Sequence, residues 1–212
     1  MSDEVEVHEP YADARQQHVA DMMGVYVFLG TELMLFGGLF AVAYVMRILH
    51  PADYIEASKR LHVWIGAINT VVLLTSSLAV ALGVHAARAV RPRGAVLALG
   101  IAAALGLGFL GIKLLEYSLE YGEGLLPLPG AVTHFSSPVE HQFMNLYLIA
   151  TTLHAIHLSI GILLLLGVAA ALSRRRPVLG PNAAMVVMVS GIYWHFVDVV
   201  WIFLYPALYL AR

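Results

Sequence analysis

The segment YWHFVDVVW, residues 193–201, places a histidine and an aspartate inside an otherwise apolar run near the end of the chain. A charged side chain at the centre of a bilayer costs about 3 kcal/mol on insertion scales, so each of these residues needs a partner or a function. His195 and Asp198 are three residues apart and share one face of a helix, where the imidazole can hydrogen-bond the carboxylate. The spacing favours a structural His–Asp pair over a catalytic one.

The composition assigns this segment to a membrane protein. Of the 212 residues, 60% are hydrophobic and 12% are charged, which is far too apolar for an ordinary soluble domain. The chain has no cysteine, which excludes disulfides, thiolate metal sites and a cysteine nucleophile. No phosphate-binding glycine loop is present, and no basic surface for nucleic acid is expected. Histidines and carboxylates are therefore the groups available for polar chemistry.

Five apolar runs are long enough to cross a membrane. They cover residues 22–46, 64–87, 94–115, 145–172 and 183–210. A helix rises 1.5 Å per residue, so about 20 residues cross a hydrocarbon core of about 30 Å. The runs are too long and too evenly apolar for barrel strands, which alternate over about ten residues. The sequence predicts an all-α integral membrane bundle of five transmembrane helices over residues 22–212, preceded by an acidic cytoplasmic tail at 1–21.

Positive charges are distributed unequally between the two sides of this bundle. One side would hold Arg15, Arg88, Arg91, Arg93, Arg174, Arg175 and Arg176, and the other Arg47, Lys59, Arg60, Lys113 and Arg212. Cytoplasmic loops carry the excess of Lys and Arg, so the first side is expected to be cytoplasmic. This places the N-terminus in the cytoplasm and the C-terminus outside. The stretch before the first span lacks the features of a signal peptide and is expected to be retained.

Glu32, in FLGTELMLFGG, lies about ten residues into the first span and hence near the middle of the membrane. Two interpretations stay open: a protonated carboxyl that is hydrogen-bonded to a neighbouring helix, and a site of proton transfer or subunit contact. Gly37 and Gly38 follow it. In membrane helices such small residues more often mark close helix packing than a hinge, so both are candidates for contact with a subunit or lipid.

Other polar residues in the spans are weaker signals. His154 and His157 are three apart in the fourth span, a spacing that can supply metal or haem ligands. Lys113 and Glu116 are three apart where the third span ends, which favours a local ion pair or a headgroup contact over chemistry. A metal enzyme needs three or more ligands in one shell, whereas these candidates are spread over several helices. We expect a buried polar network and no metal site in this chain.

The last span carries aromatic rings on the face of its aspartate. Trp194, Asp198, Trp201 and Tyr205 follow the i, i+4, i+7, i+11 pattern of one helical face. Such rings often lie at the membrane interface and can equally fill a subunit contact, so Trp194, Trp201 and Tyr205 are candidates for subunit or lipid contact. Four polar residues of the second span are expected to hydrogen-bond neighbouring helices: Asn69, Thr70, Ser76 and Ser77.

Taken alone, these residues describe a five-helix membrane protein with a buried polar network that works in a complex. Two other classes stay open. An autonomous membrane cytochrome b would ligate a haem with His195 and either His154 or His157. A small proton-coupled transporter would use Glu32 and Asp198 as a relay, although the repeated halves and broken helices often seen in transporters are missing from the sequence.

Five segments resemble, in order and spacing, the diagnostic segments of subunit III of haem-copper terminal oxidases. They are FLGTELMLFGGLFAVAY, NTVVLLTSSLAV, LGFLGIKLLEY, TTLHAIHLSIG and YWHFVDVVWIFLYPALYL. Together they cover all five spans, and WHFVDVVW is the most specific of them. The sequence is similar to the shorter five-helix form of that family, in which the first two helices of the seven-helix form are absent.

This resemblance implies an accessory subunit without haem or copper of its own, packed against the catalytic subunit I and subunit II of a proton-pumping oxygen reductase. Haems and copper are expected in those partner subunits, and phospholipid is expected to bind this chain. The implied location is the bacterial plasma membrane, and membership of a larger respiratory assembly stays open. The implied enzyme is cytochrome c oxidase, with a quinol oxidase or a nitric-oxide-reductase-associated homologue as alternatives. Position 32 is a glutamate and not an aspartate, which favours the cytochrome c branch of the family.

The resemblance also implies roles for individual residues. Glu32 matches the family's intramembrane carboxylate and is the expected proton-related group. His195 and Asp198 match its last-helix motif and are expected to stabilise the bundle. The remaining polar positions are fitted by Glu116, His154 and His157. Subunit III is expected to sustain proton uptake into subunit I, to protect the active site over many turnovers and to hold lipids that help oxygen reach it.

Overall fold

The computed structural model describes residues 14–126, 135, 137–174 and 183–211, and that part of the chain is helical with no strand. The helices are α1 (Ala14–Leu49), α2 (Pro51–Lys59), α3 (Val63–Arg88), α4 (Pro92–Gly122), α5 (Pro138–Ser173) and α6 (Ala183–Tyr209). All of them except α2 contain a stretch that is long and apolar enough to cross a membrane. The predicted all-α fold with five spans is therefore confirmed.

Helices α1, α3, α4 and α5 extend beyond the apolar runs that predicted them, whereas α6 matches its run to within one residue. Helix α1 begins at Ala14, inside the segment expected to be a tail, while residues 1–13 lie outside the described residues. Helix α4 continues to Gly122, and α5 begins at Pro138 with Ser137 as its cap, whose side chain accepts a hydrogen bond from the Glu140 N–H. Hydropathy detects the part of a helix that lies in lipid, whereas helical hydrogen bonding continues into the polar ends.

The short helix α2 is not predicted by the hydropathy pattern. Pro51 occupies its first turn, where a missing N–H costs no hydrogen bond. The helix lies against the end of α6. Tyr54 Oη donates to the Ala207 carbonyl at 2.9 Å, and Ser58 Oγ donates to the Leu208 carbonyl at 2.7 Å. These carbonyls belong to the last turn of α6 and have no partner within that helix, so α2 caps α6 from the side.

Helices α3, α4, α5 and α6 form the packed core of the molecule. The connections from α2 to α3 and from α3 to α4 are three residues long, which makes consecutive helices antiparallel neighbours. Among the described residues, α1 packs against α2, α5 and α6 and makes no contact with α3 or α4. Most of the apolar surface of α1 is therefore uncovered within this chain and is available to lipid or to another subunit.

A tryptophan locks the core helices together. Trp194 of α6 is fully buried, and its indole lies against Gly106 of α4 and Gly161 of α5. A Cβ atom added to Gly106 would lie 2.7 Å from Trp194 Cη2, and one added to Gly161 would lie 3.0 Å from Trp194 Cε3. The two glycines leave the space that the indole fills, so the close approach of α4, α5 and α6 depends on them.

Candidate functional site

Glu32 is in direct contact with His157, a residue 125 positions away in the sequence. Glu32 Oε2 of α1 lies 2.8 Å from His157 Nε2 of α5. The other ring nitrogen, Nδ1, lies 2.8 Å from the carbonyl oxygen of Leu153. Both side chains are largely covered, with 16% of Glu32 and 11% of His157 exposed. The intramembrane carboxyl of α1 therefore has a titratable partner on the core bundle.

The two hydrogen bonds of His157 determine how many protons this pair holds. A carbonyl oxygen can only accept, so Nδ1 carries a proton and donates it to Leu153. The contact between Nε2 and Glu32 then needs one more proton, which is held either by the carboxyl or by the ring. In both cases Glu32 and His157 together carry no net charge, which explains how a carboxyl is tolerated in a membrane span. The arrangement can hold a proton and shift it between two atoms.

A groove between α1, α5 and α6 opens onto this pair. Its volume is about 700 Å³, and Glu32 and His157 form part of its lining together with apolar residues such as Phe28, Leu164 and Val186. Asp21 lines the groove near the N-terminal end of α1. Asp21 and Glu32 are separated by about 16 Å along the helix axis, so the groove follows three turns of α1. It leads from one end of the span to the proton-sharing pair.

The predicted direct contact between His195 and Asp198 is not formed. His195 Nδ1 instead lies 2.6 Å from Ser77 Oγ of α3. Ser77 also adjoins the carboxyl of Asp198, although neither carboxyl oxygen has a well-formed hydrogen bond among the described residues. Residues three apart share a helical face, but here Ser77 of the neighbouring α3 lies against both side chains. The two residues of the motif are therefore linked through Ser77.

The remaining predicted histidine, His154, is fully buried between aromatic rings. Its ring centroid lies 5.1 Å from that of Trp201 and 5.6 Å from that of Phe109. Neither ring nitrogen has a hydrogen-bond partner in the described part of the chain. His154 and His157 do not converge on a shared position, since His157 turns to Glu32. Within the described ranges no group of three or more His, Asp or Glu side chains is arranged to hold a metal ion.

Two of the three aromatic contact candidates of α6, Trp194 and Trp201, lie inside the molecule, which corrects their expected role, whereas Tyr205 is only partly buried and stays a candidate. Trp194 and Trp201 are 0% and 1% exposed. Trp201 Nε1 donates to Thr70 Oγ1 of α3 at 3.1 Å, and Tyr205 Oη donates to the Val63 carbonyl at 3.3 Å. The polar tips of Trp201 and Tyr205 bind α3, whereas the Trp194 indole lies against α4 and α5. By contrast, Gly37 and Gly38 lie on an exposed face of α1, where an added Cβ would have no atom of the described residues within 4 Å.

The polar residues of α3 divide into those with and without partners. Ser76 Oγ donates to the Ala102 carbonyl of α4 at 3.0 Å, and Ser77 and Thr70 contact α6 as described. These three act between helices, as the sequence predicted. Both amide atoms of the fully buried Asn69 lack a hydrogen-bond partner among the described residues.

A second polar cluster lies toward the end of the bundle that carries α2. Lys113 Nζ lies 2.8 Å from Glu116 Oε2 and both side chains are almost completely buried, so of the two predicted alternatives the local ion pair is the one that forms. Glu120 joins it from the next turn of α4, Tyr147 from α5 and Tyr209 from α6. Sequence reasoning placed Glu120 and Tyr209 in no site. The i, i+3, i+7 spacing of Lys113, Glu116 and Glu120 on one face was the available signal.

The match to a family model covers nearly the whole chain. The model for cytochrome c oxidase subunit III matches residues 11–211, which include all five apolar helices. The chain is 35% identical to cytochrome c oxidase subunit 3 of Thermostichus vulcanus, over 89% of this chain and 86% of that protein. It is 30% identical to quinol oxidase subunit 3 of Bacillus spizizenii, over 90% and 86%. It is 32% identical to cytochrome c oxidase subunit 3 of Corynebacterium diphtheriae, over 90% and 87%. The chain therefore belongs to the cytochrome c oxidase subunit III family.

Proposed function

We propose that this chain is the accessory subunit III of a haem-copper oxygen reductase, most closely a cytochrome c oxidase. The observation that carries the proposal is the family match over residues 11–211, which includes every apolar span. The arrangement of polar groups agrees with an accessory role, because Glu32, His157 and Lys113 are each engaged by other side chains of the same chain. In this proposal the chain contributes to the oxidoreductase and proton-translocating activity of the complex and does not carry out the redox step.

The haems and copper are assigned to the partner subunits I and II. A bis-histidine haem in this chain would need free ring nitrogens that face one another from different helices. His157 has both nitrogens hydrogen-bonded, His195 is bound to Ser77, and the His154 ring is packed between Phe109 and Trp201. These contacts, with the family membership, favour an accessory subunit over an autonomous cytochrome b or a small transporter.

We assign the proton-related role to Glu32. Its carboxyl shares a proton with His157 and lines a groove that reaches the level of Asp21 near the other end of α1. Glu32 would help to supply protons to subunit I and to protect its active site during turnover. His195 and Asp198, acting through Ser77, and the buried His154 and Glu116 are assigned structural roles in the bundle.

The groove between α1, α5 and α6 is proposed to hold a phospholipid acyl chain. Most of its lining is apolar, and its contents would lie in the lipid environment if α1 spans the membrane. A lipid in this position would cover the weakly packed side of α1 and join it to the core bundle. In this proposal the bound lipid also helps oxygen to reach the active site of subunit I.

The proposed arrangement in the membrane follows the charge distribution of the sequence. The N-terminus lies in the cytoplasm, the C-terminus and α2 lie outside, and the membrane is the bacterial plasma membrane. The open face of α1 that carries Gly37 and Gly38 is the candidate contact with another subunit or with lipid. Association with further respiratory enzymes is a separate possibility for the assembled oxidase.

A quinol oxidase is the second candidate, because a quinol oxidase subunit 3 is 30% identical to the chain over 90% of its length. Other subunits bind the electron donor, so the glutamate at position 32 is a minor indication that the donor is cytochrome c. A nitric-oxide-reductase-associated homologue is a further alternative from the sequence alone.

The test is to tag the chain and purify it from native membranes in mild detergent. The proposal predicts a large haem-containing polypeptide, a copper-binding subunit and oxygen-reductase activity in the same fraction. Oxidation of reduced cytochrome c, compared with oxidation of a quinol, then assigns the donor. A chain that emerges alone would contradict the proposal: a haem spectrum of its own would indicate a cytochrome b, and none would favour the transporter.

A further inference from the structure

The three hydrogen-bond partners of Lys113 are those that an ammonium requires. Its Nζ donates to Glu116 Oε2, to Tyr147 Oη and to Tyr209 Oη, which uses the three N–H bonds of a protonated lysine. The nitrogen also lies 4.7 Å from the ring centroid of Tyr147 and 5.5 Å from that of Trp201. Aromatic faces attract a cation. The cluster is therefore built around one buried positive charge.

Glu116 is the anion that balances this charge. Its Oε2 accepts from Lys113 at 2.8 Å, and its Oε1 accepts from Tyr209 Oη at 2.8 Å. Both oxygens thus accept hydrogen bonds, as an ionised carboxylate does. Lys113 and Glu116 together are neutral, and further negative charge in this place has no cation to meet it within the cluster.

Glu120 is the unmatched carboxyl of the cluster. Its side chain is fully buried, and its Oε1 accepts from Tyr147 Oη at 2.7 Å. Its Oε2 has no hydrogen-bond partner in the described part of the chain. A second carboxylate beside Glu116 would be a buried charge with half of its acceptor capacity unused, which is an expensive state.

Two further ion pairs lie at this end of the bundle among the described residues. Arg60, which follows α2, lies 2.6 Å from Glu140 of α5. Glu123, at the end of α4, is half exposed and lies 3.6 Å from His62. The two buried carboxylates that have cations are therefore Glu116 with Lys113 and Glu140 with Arg60. No cation among these groups remains for Glu120.

We propose that Glu120 is a proton-binding site: its carboxyl is held protonated and neutral within the cluster formed by Lys113, Glu116, Tyr147 and Tyr209. The site is distinct from the pair formed by Glu32 and His157. Tyr147 and His157 are ten residues apart on α5, which separates the two sites by about 15 Å along that helix. The ligand of the site is a proton, and the state of Glu120 is set by the balance between Lys113 and Glu116.

This charge balance predicts that the proton can be moved by substitution. In Glu116→Gln, the Lys113 ammonium loses its anion, so Glu120 is expected to release its proton and become the carboxylate partner. In Lys113→Met, no cation remains, so Glu116 is expected to take up a proton as well. Glu120→Gln and Glu116→Gln therefore both leave the cluster without a protonated carboxyl, the first by removing that carboxyl and the second by ionising it, whereas Lys113→Met leaves two.

The number of protonated carboxyls is measured by infrared difference spectroscopy on the tagged chain, purified together with the polypeptides that accompany it. Relative to the unsubstituted protein, Glu120→Gln is expected to lose one protonated-carboxyl C=O band. Glu116→Gln is expected to lose the same band, and Lys113→Met to gain one. The matched control is Glu123→Gln, which changes a half-exposed glutamate at the end of the same helix and is expected to leave this region of the spectrum unchanged.

Three results would contradict the proposed charge balance at Glu120. Loss of a carboxylate band in Glu120→Gln, with no change in the C=O region, would show that Glu120 is ionised and would overturn the proposal. Glutamine reproduces the size and neutrality of a protonated glutamate, so failure of Glu120→Gln to accumulate where Glu123→Gln does would also contradict it. An unchanged C=O region in both Glu116→Gln and Lys113→Met would show that the carboxyls are not coupled through Lys113.

Discussion

The carboxyl of Glu32 in α1 and the imidazole of His157 in α5 are joined by a hydrogen bond of 2.8 Å. Helix α1 has little of its surface buried in this chain, so this contact is a specific link between a peripheral helix and the core. Because His157 donates from Nδ1 to Leu153, its Nε2 is reserved for Glu32. The hydrogen bond that attaches α1 to the core is therefore the same one that holds the shared proton.

Glu32→Gln is expected to preserve assembly and to slow proton uptake several-fold. The glutamine amide can donate to His157 Nε2, which keeps the contact, but it cannot exchange a proton with the ring. The measurements are the amount of this chain in the purified oxidase and the initial rate of proton uptake from a pH-sensitive dye. Glu56→Gln, which alters an exposed carboxyl of α2, is the matched control. Unchanged proton uptake in Glu32→Gln would remove Glu32 from the proton-related role.

Glu32→Ala is expected to weaken the attachment of α1 to the bundle. The substitution removes the hydrogen bond and leaves His157 Nε2 without its partner, at a cost of about 1–3 kcal/mol. The readout is the rate at which protease cleaves the α1 end of the chain in the detergent-solubilised complex. We expect faster cleavage in Glu32→Ala than in Glu32→Gln, and equal rates would argue against a docking role for the pair.

Ser77→Ala is expected to destabilise the chain by about 1–3 kcal/mol. The substitution removes the hydroxyl that meets His195 Nδ1 at 2.6 Å and that adjoins Asp198, and it leaves polar atoms of a buried helix face unpaired. Thr75→Ala is the matched control, because the Thr75 hydroxyl is exposed and donates to the Val71 carbonyl of its own helix. Thermal dissociation of the chain from its complex distinguishes the two. Equal midpoints would mean that Ser77 does not connect the motif.

Gly106→Ala is expected to destabilise the core by about 1–3 kcal/mol, the usual cost of overpacking. The added Cβ would lie 2.7 Å from Trp194 Cη2, and the indole is fully buried and also lies against Gly161. Gly108→Ala, on the same helix, is the control, because its Cβ would have no atom of the described residues within 4 Å. The Trp fluorescence spectrum and the thermal midpoint should change in Gly106→Ala alone. A neutral effect would show that the bundle can open at this point.

Arg60→Ala is expected to lower stability strongly, by up to about 3–5 kcal/mol, the range seen when one member of a buried ion pair is removed. Glu140 is 3% exposed and would lose the guanidinium that lies 2.6 Å away. The partial exposure of Arg60 places the expected cost toward the lower end of that range. Lys59→Ala, the neighbouring residue, is the control, since its pair with Glu56 is exposed on both sides and is expected to contribute less than about 1 kcal/mol. Similar midpoints for the two variants would contradict a structural role for the buried pair.

Sequence patterns predicted the helical class, the five spans and the residues that need partners, but not most of the partners themselves. Lys113 and Glu116 are an exception, because residues three apart on one helix meet without help from other elements. The same rule failed for His195 and Asp198, since Ser77 of α3 is placed against both. The α2 helix was missed because it is short and polar and is held by the carbonyls of α6. The sequence identified the aromatic face of α6, but it did not identify the helices against which that face packs.

The sequence by itself determined that this chain is a helical membrane protein of the subunit III family, because apolar run length and motif order are local properties that lipid converts directly into helices. Only the tertiary structure decided which polar groups meet. Glu32 and His157 are separated by 125 residues, and Tyr147 and Glu120 lie on different helices. Periodicity gives the face of each helix but not the rotation and depth at which two faces are opposed. Those are set by the packing of side chains such as Trp194 between Gly106 and Gly161.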